Sequence, residues 1–217
     1  MLSSTFHSGS NSYHLLIHIF KALKLVTNME YIYEIDNVIS KEMCDTLIKR
    51  FQNDDRKGPS MTYGGIQRDV RKSTTLHFSG LDDWKDLDNE VFKIFTKCIK
   101  EYGEYVNSYT SGSDCGSIFV DLVDEGYFIQ EYRSGEFYKW HVDDGKVLDG
   151  RRRNITCLLY LNTLEEDQGG TTDFWCGKKV RPKQGKMLIF PSCWTYVHRG
   201  APVKNGGVKY VCGTWGA

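Results

Sequence analysis

The stretch Gln130-Glu-Tyr-Arg-Ser-Gly-Glu-Phe-Tyr138-Lys-Trp-His141-Val-Asp143 holds two short aromatic and apolar runs hinged at Ser134-Gly135. Runs of that length broken at a glycine read as two strands and a tight turn. Side chains alternate across a strand, so His141 and Asp143, two apart, point to the same side. An imidazole and a carboxylate are thereby predicted to share one face.

Outward from this stretch the same texture continues. From Gly116 onward, β-type runs are predicted at Ile118 to Val123, Tyr127 to Tyr132, Tyr138 to Val142, Asn154 to Leu161, Thr171 to Trp175, Lys186 to Phe190, Tyr196 to His198 and Val208 to Trp215. Gly135, Gly169-Gly170, Gly185 and Gly206-Gly207 punctuate them. Short strands at this spacing predict an antiparallel sandwich or barrel.

Upstream the period changes. Ser40 suits the N-cap of a helix carrying Cys44, Leu47, Ile48 and Phe51 on one face, and a longer helix is expected from Asp82 or Asp83 through Val106. A Gly/Pro/Ser/Asp-rich loop from Asn53 to Gly65 separates them, and Tyr31 to Val38 reads as a strand. Residues 1–28 differ in texture. The expectation is an arm over 1–28, loosely packed or an artefact of start-codon choice, and a domain over 29–217, of α+β class with the helices outside one sheet.

The chain has 217 residues, 28 Lys+Arg against 28 Asp+Glu, 13% aromatic residues and 7 Cys. Balanced charge argues against nucleic acid as partner, because phosphate binding needs an excess of Lys and Arg. Aromatic content argues against disorder. The longest apolar stretch, Leu15 to Val26, is interrupted by His18, Lys21 and Lys24, so no membrane span is expected. The cysteines form no C-x-x-C pair and Met1 to Tyr13 lacks the basic start of a secretory signal, which together favour reduced thiols and a cytoplasmic setting.

Of six histidines, His7, His14 and His18 fall in the arm, leaving His77, His141 and His198. His198, at the end of an apolar run after Phe190-Pro-Ser, can complete a set with His141 and Asp143. Two imidazoles and a carboxylate on one face of a metal leave the opposite face open, the arrangement of non-haem Fe(II) oxygenases. On spacing alone, Asp143-Asp-Gly145 as a turn and His198 as a strand end are the more ordinary readings, since H-x-D pairs arise often by chance.

Over Tyr31 to Trp215 the sequence resembles the prolyl 4-hydroxylase-like branch of the Fe(II)/2-oxoglutarate dioxygenases. The family run Q-x-x-x-Y-x-x-G-x-x-Y-x-x-H-x-D is largely kept in Gln130 to Asp143, followed by Arg153-Asn-Ile-Thr156-Cys-Leu-Leu-Tyr160-Leu161 and Glu165-Glu-Asp-Gln-Gly169-Gly-Thr-Thr172-Asp-Phe174. Val180-Arg-Pro182-Lys-Gln-Gly185-Lys-Met-Leu-Ile-Phe190, His198-Arg-Gly-Ala-Pro202, Lys209 and Trp215 complete the pattern in order.

The resemblance implies a double-stranded β-helix (jelly-roll) core, and iron held by His141, Asp143 and His198. It implies that Lys209 meets the distal carboxylate of 2-oxoglutarate, with Tyr132 and Thr172 as hydrogen-bonding neighbours. It places Arg153, Tyr138 and Trp215 toward the substrate, and Val70-Arg71-Lys72-Ser73-Thr74 resembles a family stretch that comes close to it. Lys209 stands eleven residues after His198 where the family commonly has ten, Trp140 replaces a frequent proline, and the stretch between Asp143 and Arg153 is short. Retention of Asp143 sets the chain apart from related halogenases. The implied reaction is hydroxylation of a C–H bond with Fe(II), 2-oxoglutarate, O2 and ascorbate, releasing succinate and CO2, on a proline-containing peptide or protein. The same chemistry on a lysyl side chain, a small amino acid or a nucleobase, a cupin-like metal protein without 2-oxoglutarate, and a non-catalytic binding module are the alternatives.

Overall fold

Glycine-bearing turns divide the C-terminal half of the chain into short antiparallel strands, and the computed structural model, which describes residues 31–109, 114, 119, 121–145 and 150–217, gathers them into two sheets. The strands are β1 (Tyr33–Ile35), β2 (Gly58–Pro59), β3 (Arg71–Lys72), β4 (Thr74–His77), β5 (Phe128–Arg133), β6 (Phe137–His141), β7 (Ile155–Tyr160), β8 (Thr172–Phe174), β9 (Lys179–Val180), β10 (Lys186–Pro191), β11 (His198–Gly200) and β12 (Val208–Gly216). The larger sheet runs β1-β10-β7-β12-β5-β4-β2 and the smaller β3-β6-β11-β8-β9, all pairs antiparallel.

A core formed by Ile32, Tyr160, Phe174, Val180, Leu188, Phe190 and Val211 draws side chains from both sheets and packs one on the other. Met187, Ile189, Cys157, Leu159 and Cys212 are fully buried as well, although they alternate with those core positions along the same strands. The central strands of the larger sheet are therefore covered on both faces, which is why they read as apolar runs rather than alternating ones.

Helix α1 (Lys41–Gln52) starts where Ser40 Oγ accepts from the Met43 amide at 3.2 Å, and it buries Cys44, Leu47 and Phe51. Helix α2 (Lys85–Asn107) follows a single 3-10 turn at Asp82–Trp84, and its Leu87, Val91, Phe95, Cys98, Tyr102 and Val106 face the protein interior, one of its contacts being β10. Trp84, just before α2, is buried with its ring stacked on Phe78, and it donates its indole N–H to Asp54 at 2.8 Å.

Two expectations change. The run Ile118 to Val123 is not a strand where it is described: Asp121 lies in a turn, and Val123 only exchanges backbone hydrogen bonds with Ala217 beside a bridge between Asp124 and Gly216. Tyr196 to His198 divides, with Trp194–Tyr196 forming a 3-10 turn and β11 starting at His198. The two-residue strands β2, β3 and β9 are too short to announce themselves by alternation. Residues 1–30, and so the expected arm and the boundary at Met29, lie outside the described residues. The six described cysteines are free thiols, and no described helix is long and apolar enough to cross a membrane.

Candidate active site

β6 and β11 are neighbours in the smaller sheet, and their register sets His198 directly opposite His141. Asp143, two residues past His141 on the same side, completes the group: one ligand atom from each of the three lies within 4.8 Å of the others. His141 Nε2 is 3.5 Å from Asp143 Oδ1 and His198 Nε2 is 3.5 Å from Asp143 Oδ2. His77, the remaining described histidine, sits on β4 beside Phe128 and outside the triad.

Both imidazoles are turned for metal binding. Nδ1 of His141 faces the Lys139 carbonyl at 2.7 Å and Nδ1 of His198 faces the Tyr196 carbonyl at 3.0 Å. A carbonyl accepts only, so each Nδ1 donates its proton there, and each Nε2 is the ring nitrogen turned toward Asp143. Burial holds the His198 imidazole down at about 4 against the opposing pull of Asp143, so it is neutral at pH 7. Burial pushes the Asp143 carboxyl up, but the His198 and His141 imidazoles outweigh it and hold the group well below the usual carboxylate range. Two imidazoles beside a carboxylate are the donor set a divalent transition metal takes, and these residues fit Fe(II).

Asp143 is oriented from β7. Thr156 Oγ1 donates to Asp143 Oδ2 at 2.9 Å and lies 2.9 Å from Ser192 Oγ, all three buried. A carboxylate only accepts, so the one Thr156 proton goes to Asp143 and Ser192 donates to Thr156. This relay was not legible from sequence, because it joins three chain segments.

Lys209, on β12, lines the same cavity at its other end. Lys209 is 5% exposed, and its ammonium donates to the Gly170 carbonyl at 2.9 Å and stands 5.6 Å from the Tyr132 ring and 5.3 Å from that of Tyr160. Burial lowers it to about 7, with Asp173 opposing. Gly170 is at φ +67, and a Cβ there would come within 2.5 Å of Leu164, so the carbonyl that holds Lys209 depends on a glycine. Tyr132 and Thr172 both line the cavity as expected, the Tyr132 hydroxyl donating to Gln130 at 2.9 Å and the Thr172 hydroxyl 2.7 Å from that of Tyr160. A buried cation with one carbonyl and two aromatic faces around it suits an anion.

On the open side a cleft of about 550 Å³ runs past Met61, Tyr63, Arg71, His77, Tyr138, Asp143, Arg153 and Trp215. Tyr138 stacks on His141 at 3.5 Å between centroids and 18° between planes. Arg153 is not a solvated charge: Glu125 grips it through two bonds of 2.5 and 2.6 Å, and its guanidinium lies 3.8 Å over Trp215. Arg152 does behave as a solvated residue, pairing with Asp144 at the surface. The Trp215 indole N–H lies near enough to Asp143 to favour its carboxylate, yet meets no acceptor at hydrogen-bond geometry. Glu125, Gln130, Thr156 and Ser192 are the site residues that sequence reasoning did not assign. Only Gln130 and Thr156 stood in quoted motifs, without a role.

Residues 127–216 match the 2OG-Fe(II) oxygenase superfamily. A PKHD-type hydroxylase of Idiomarina loihiensis is 36% identical over 81 residues, 36% of each chain, and one of Synechococcus sp. is 31% identical over 86 residues, 38% of this chain and 37% of the relative. The match thus spans little more than a third of the curated relatives' length. Among solved structures, the viral collagen prolyl hydroxylase of Paramecium bursaria Chlorella virus-1, with 2OG, superposes with TM-score 0.59 at 24% identity, over 87% of this chain and 97% of that one. A Trichoplax adhaerens prolyl hydroxylase in complex with a hypoxia inducible factor oxygen degradation domain peptide fragment superposes with TM-score 0.65 at 16% identity, over 96% and 93%. At these identities the structural likeness establishes a shared jelly-roll fold.

Proposed function

For a chain that carries a 2OG-Fe(II) oxygenase superfamily domain over residues 127–216, we propose the activity of a 2-oxoglutarate-dependent dioxygenase that hydroxylates a substrate C–H bond, with a prolyl residue of a peptide or protein as the target. The observation that carries this reading is the pairing, in one cavity, of the His141, Asp143, His198 group with the buried ammonium of Lys209. The names of the relatives, PKHD-type hydroxylases and prolyl hydroxylases, support the prolyl target. The intact donor set speaks against a non-catalytic binding module, and Lys209 against a metal protein that uses no 2-oxoglutarate.

In this reading His141, Asp143 and His198 hold Fe(II), which when bound activates O2 and couples decarboxylation of 2-oxoglutarate to hydroxylation, releasing succinate and CO2. The chain's own contribution is positional. The carbonyls of Lys139 and Tyr196 lock the two imidazoles, Thr156 holds the carboxylate, and Lys209 receives the far carboxylate of the cosubstrate while Tyr132 and Thr172 supply hydroxyls beside it. Tyr138 and Trp215 wall the cavity toward the cleft and exclude water from the reacting centre. Arg153, fixed by Glu125, holds the Trp215 ring in place. Ascorbate as accessory reductant, a cytoplasmic location and a domain spanning 29–217 belong to the same reading.

The test is succinate formation from 2-oxoglutarate by the purified protein with Fe(II), ascorbate and proline-containing peptides, with hydroxylation read by mass spectrometry. Peptide-stimulated succinate with a mass gain of one oxygen on proline is expected. Absence of turnover with and without peptide removes the enzyme reading, and a mass gain on lysine or on a free amino acid moves the target.

A further inference from the structure

Among the described residues, the cleft beside Asp143 holds one guanidinium that no carboxylate answers. Arg56 is clasped by Asp54 and Asp83, at 2.6 Å to each, and Arg153 by Glu125. Arg71 has no ion-pair partner among the described residues. It is 8% exposed, donates one Nη1 bond of 3.2 Å to the Met61 carbonyl, lies 4.5 Å over the Tyr138 ring, and its buried Nε meets no acceptor.

A guanidinium in that position stands out of water with part of its donor fork idle, a costly state unless a ligand supplies the acceptor. Its planar fork matches a carboxylate, and it lines both the inner cavity and the outer cleft. Tyr138 separates it from His141, with ring contacts of 4.5 and 3.5 Å on its two sides. An extended peptide advances about 3.3–3.6 Å per residue. A group resting on Arg71 therefore comes from the first or second neighbour of the residue whose C–H faces the triad. The cosubstrate has its own cation in Lys209, so the group on Arg71 belongs to the substrate.

We propose that Arg71 forms a carboxylate subsite of the cleft, and that the substrate is an acidic peptide presenting a side-chain or C-terminal carboxylate one or two residues from the modified position. The modified position rests on the hydroxylase reading; the subsite itself is a matter of binding and is tested apart from it.

Three peptides separate the cases: acetyl-Glu-Pro-Glu-amide, acetyl-Gln-Pro-Gln-amide and acetyl-Gln-Pro-Gln with a free C-terminus. Their affinities are measured by calorimetry on the wild-type protein loaded with Fe(II) and 2-oxoglutarate under nitrogen, and their kcat/KM in air. One or both acidic peptides should bind at least about tenfold tighter than the neutral amide, the strength expected of a charge-assisted bidentate contact, and which one does so identifies the source of the carboxylate. Arg71→Gln should reduce that advantage to less than about twofold, and Arg71→Lys should keep part of it. Peptides that bind alike to wild type, or not at all, overturn the proposal, as does an advantage that survives in Arg71→Gln. An Arg71→Gln effect confined to 2-oxoglutarate affinity also overturns it and assigns the arginine to the cosubstrate. An acidic preference in binding without hydroxylation of any peptide leaves the subsite standing and rejects the hydroxylase reading. The wild-type comparison alone decides if the variants do not fold.

Discussion

Lys209 carries the strongest conflict between stability and function. Its ammonium is buried and held at about 7, against an ordinary lysine near 10.5, so the ligand-free fold is working against its charge. Lys209→Met should raise the Tm of the ligand-free protein by about 2–4 °C for each kcal/mol relieved, while 2-oxoglutarate affinity falls about 100-fold or more, the usual cost of leaving one member of a buried ion pair alone. An unchanged calorimetric affinity would point to a different cation. The same residue sets a pH dependence. Only the protonated amine pairs with the dianion, so 2-oxoglutarate affinity should be full below pH 7 and fall by up to about tenfold per unit above it. A titration between pH 6 and 9 that stays flat contradicts this. Thr156 governs the neighbouring carboxylate. Thr156→Val should weaken metal binding by about 10- to 100-fold, with Thr156→Ser near wild type; equal losses in both would mean that the methyl group rather than the hydroxyl matters.

Among the elements, α1 shows how local signals survive folding. Ser40 both reads as an N-cap and acts as one, so Ser40→Ala should cost about 1 kcal/mol and lower Tm by a few degrees, read by thermal unfolding, with no change in metal affinity. The period of α2 was legible for the same reason: burial on one helical face leaves its mark every three to four residues. β6 and β11 behave differently. β6 could be located in the sequence and β11 only by its first residue, while the shared side of His141 and Asp143 followed from alternation within the expected run. The pairing of His198 with His141 could not follow that way, because strand partners across dozens of residues are chosen by packing between sheets. The Ile118 to Val123 run has strand-forming residues but, where described, pairs only through Val123 and Asp124 at the end of β12. β-propensity yields there to the absence of a partner strand.

For the whole molecule, ligand and fold are linked by mass action. Fe(II) with 2-oxoglutarate at about 100-fold over their dissociation constants should add about 2.7 kcal/mol to stability, a rise in Tm of about 5–10 °C, measured anaerobically and reversed by a chelator. No shift with either ligand argues against the site as drawn. The class of fold, two supporting helices and three metal-ligand candidates were determined by the sequence alone, through alternation, helical period and the order of motif blocks. The tertiary structure decided which side chains stand free. The run Arg151-Arg-Arg153 reads as one charged loop, yet folding gives Arg153 to Glu125 and Trp215 and sends Arg152 to the surface. Arg71 stands in a stretch that resemblance alone brought near the substrate, and only the fold, which buries it over Tyr138, shows its guanidinium without a counter-charge among the described residues. Partner choice depends on which segments meet in space, and that depends on the packing of two sheets rather than on any local pattern.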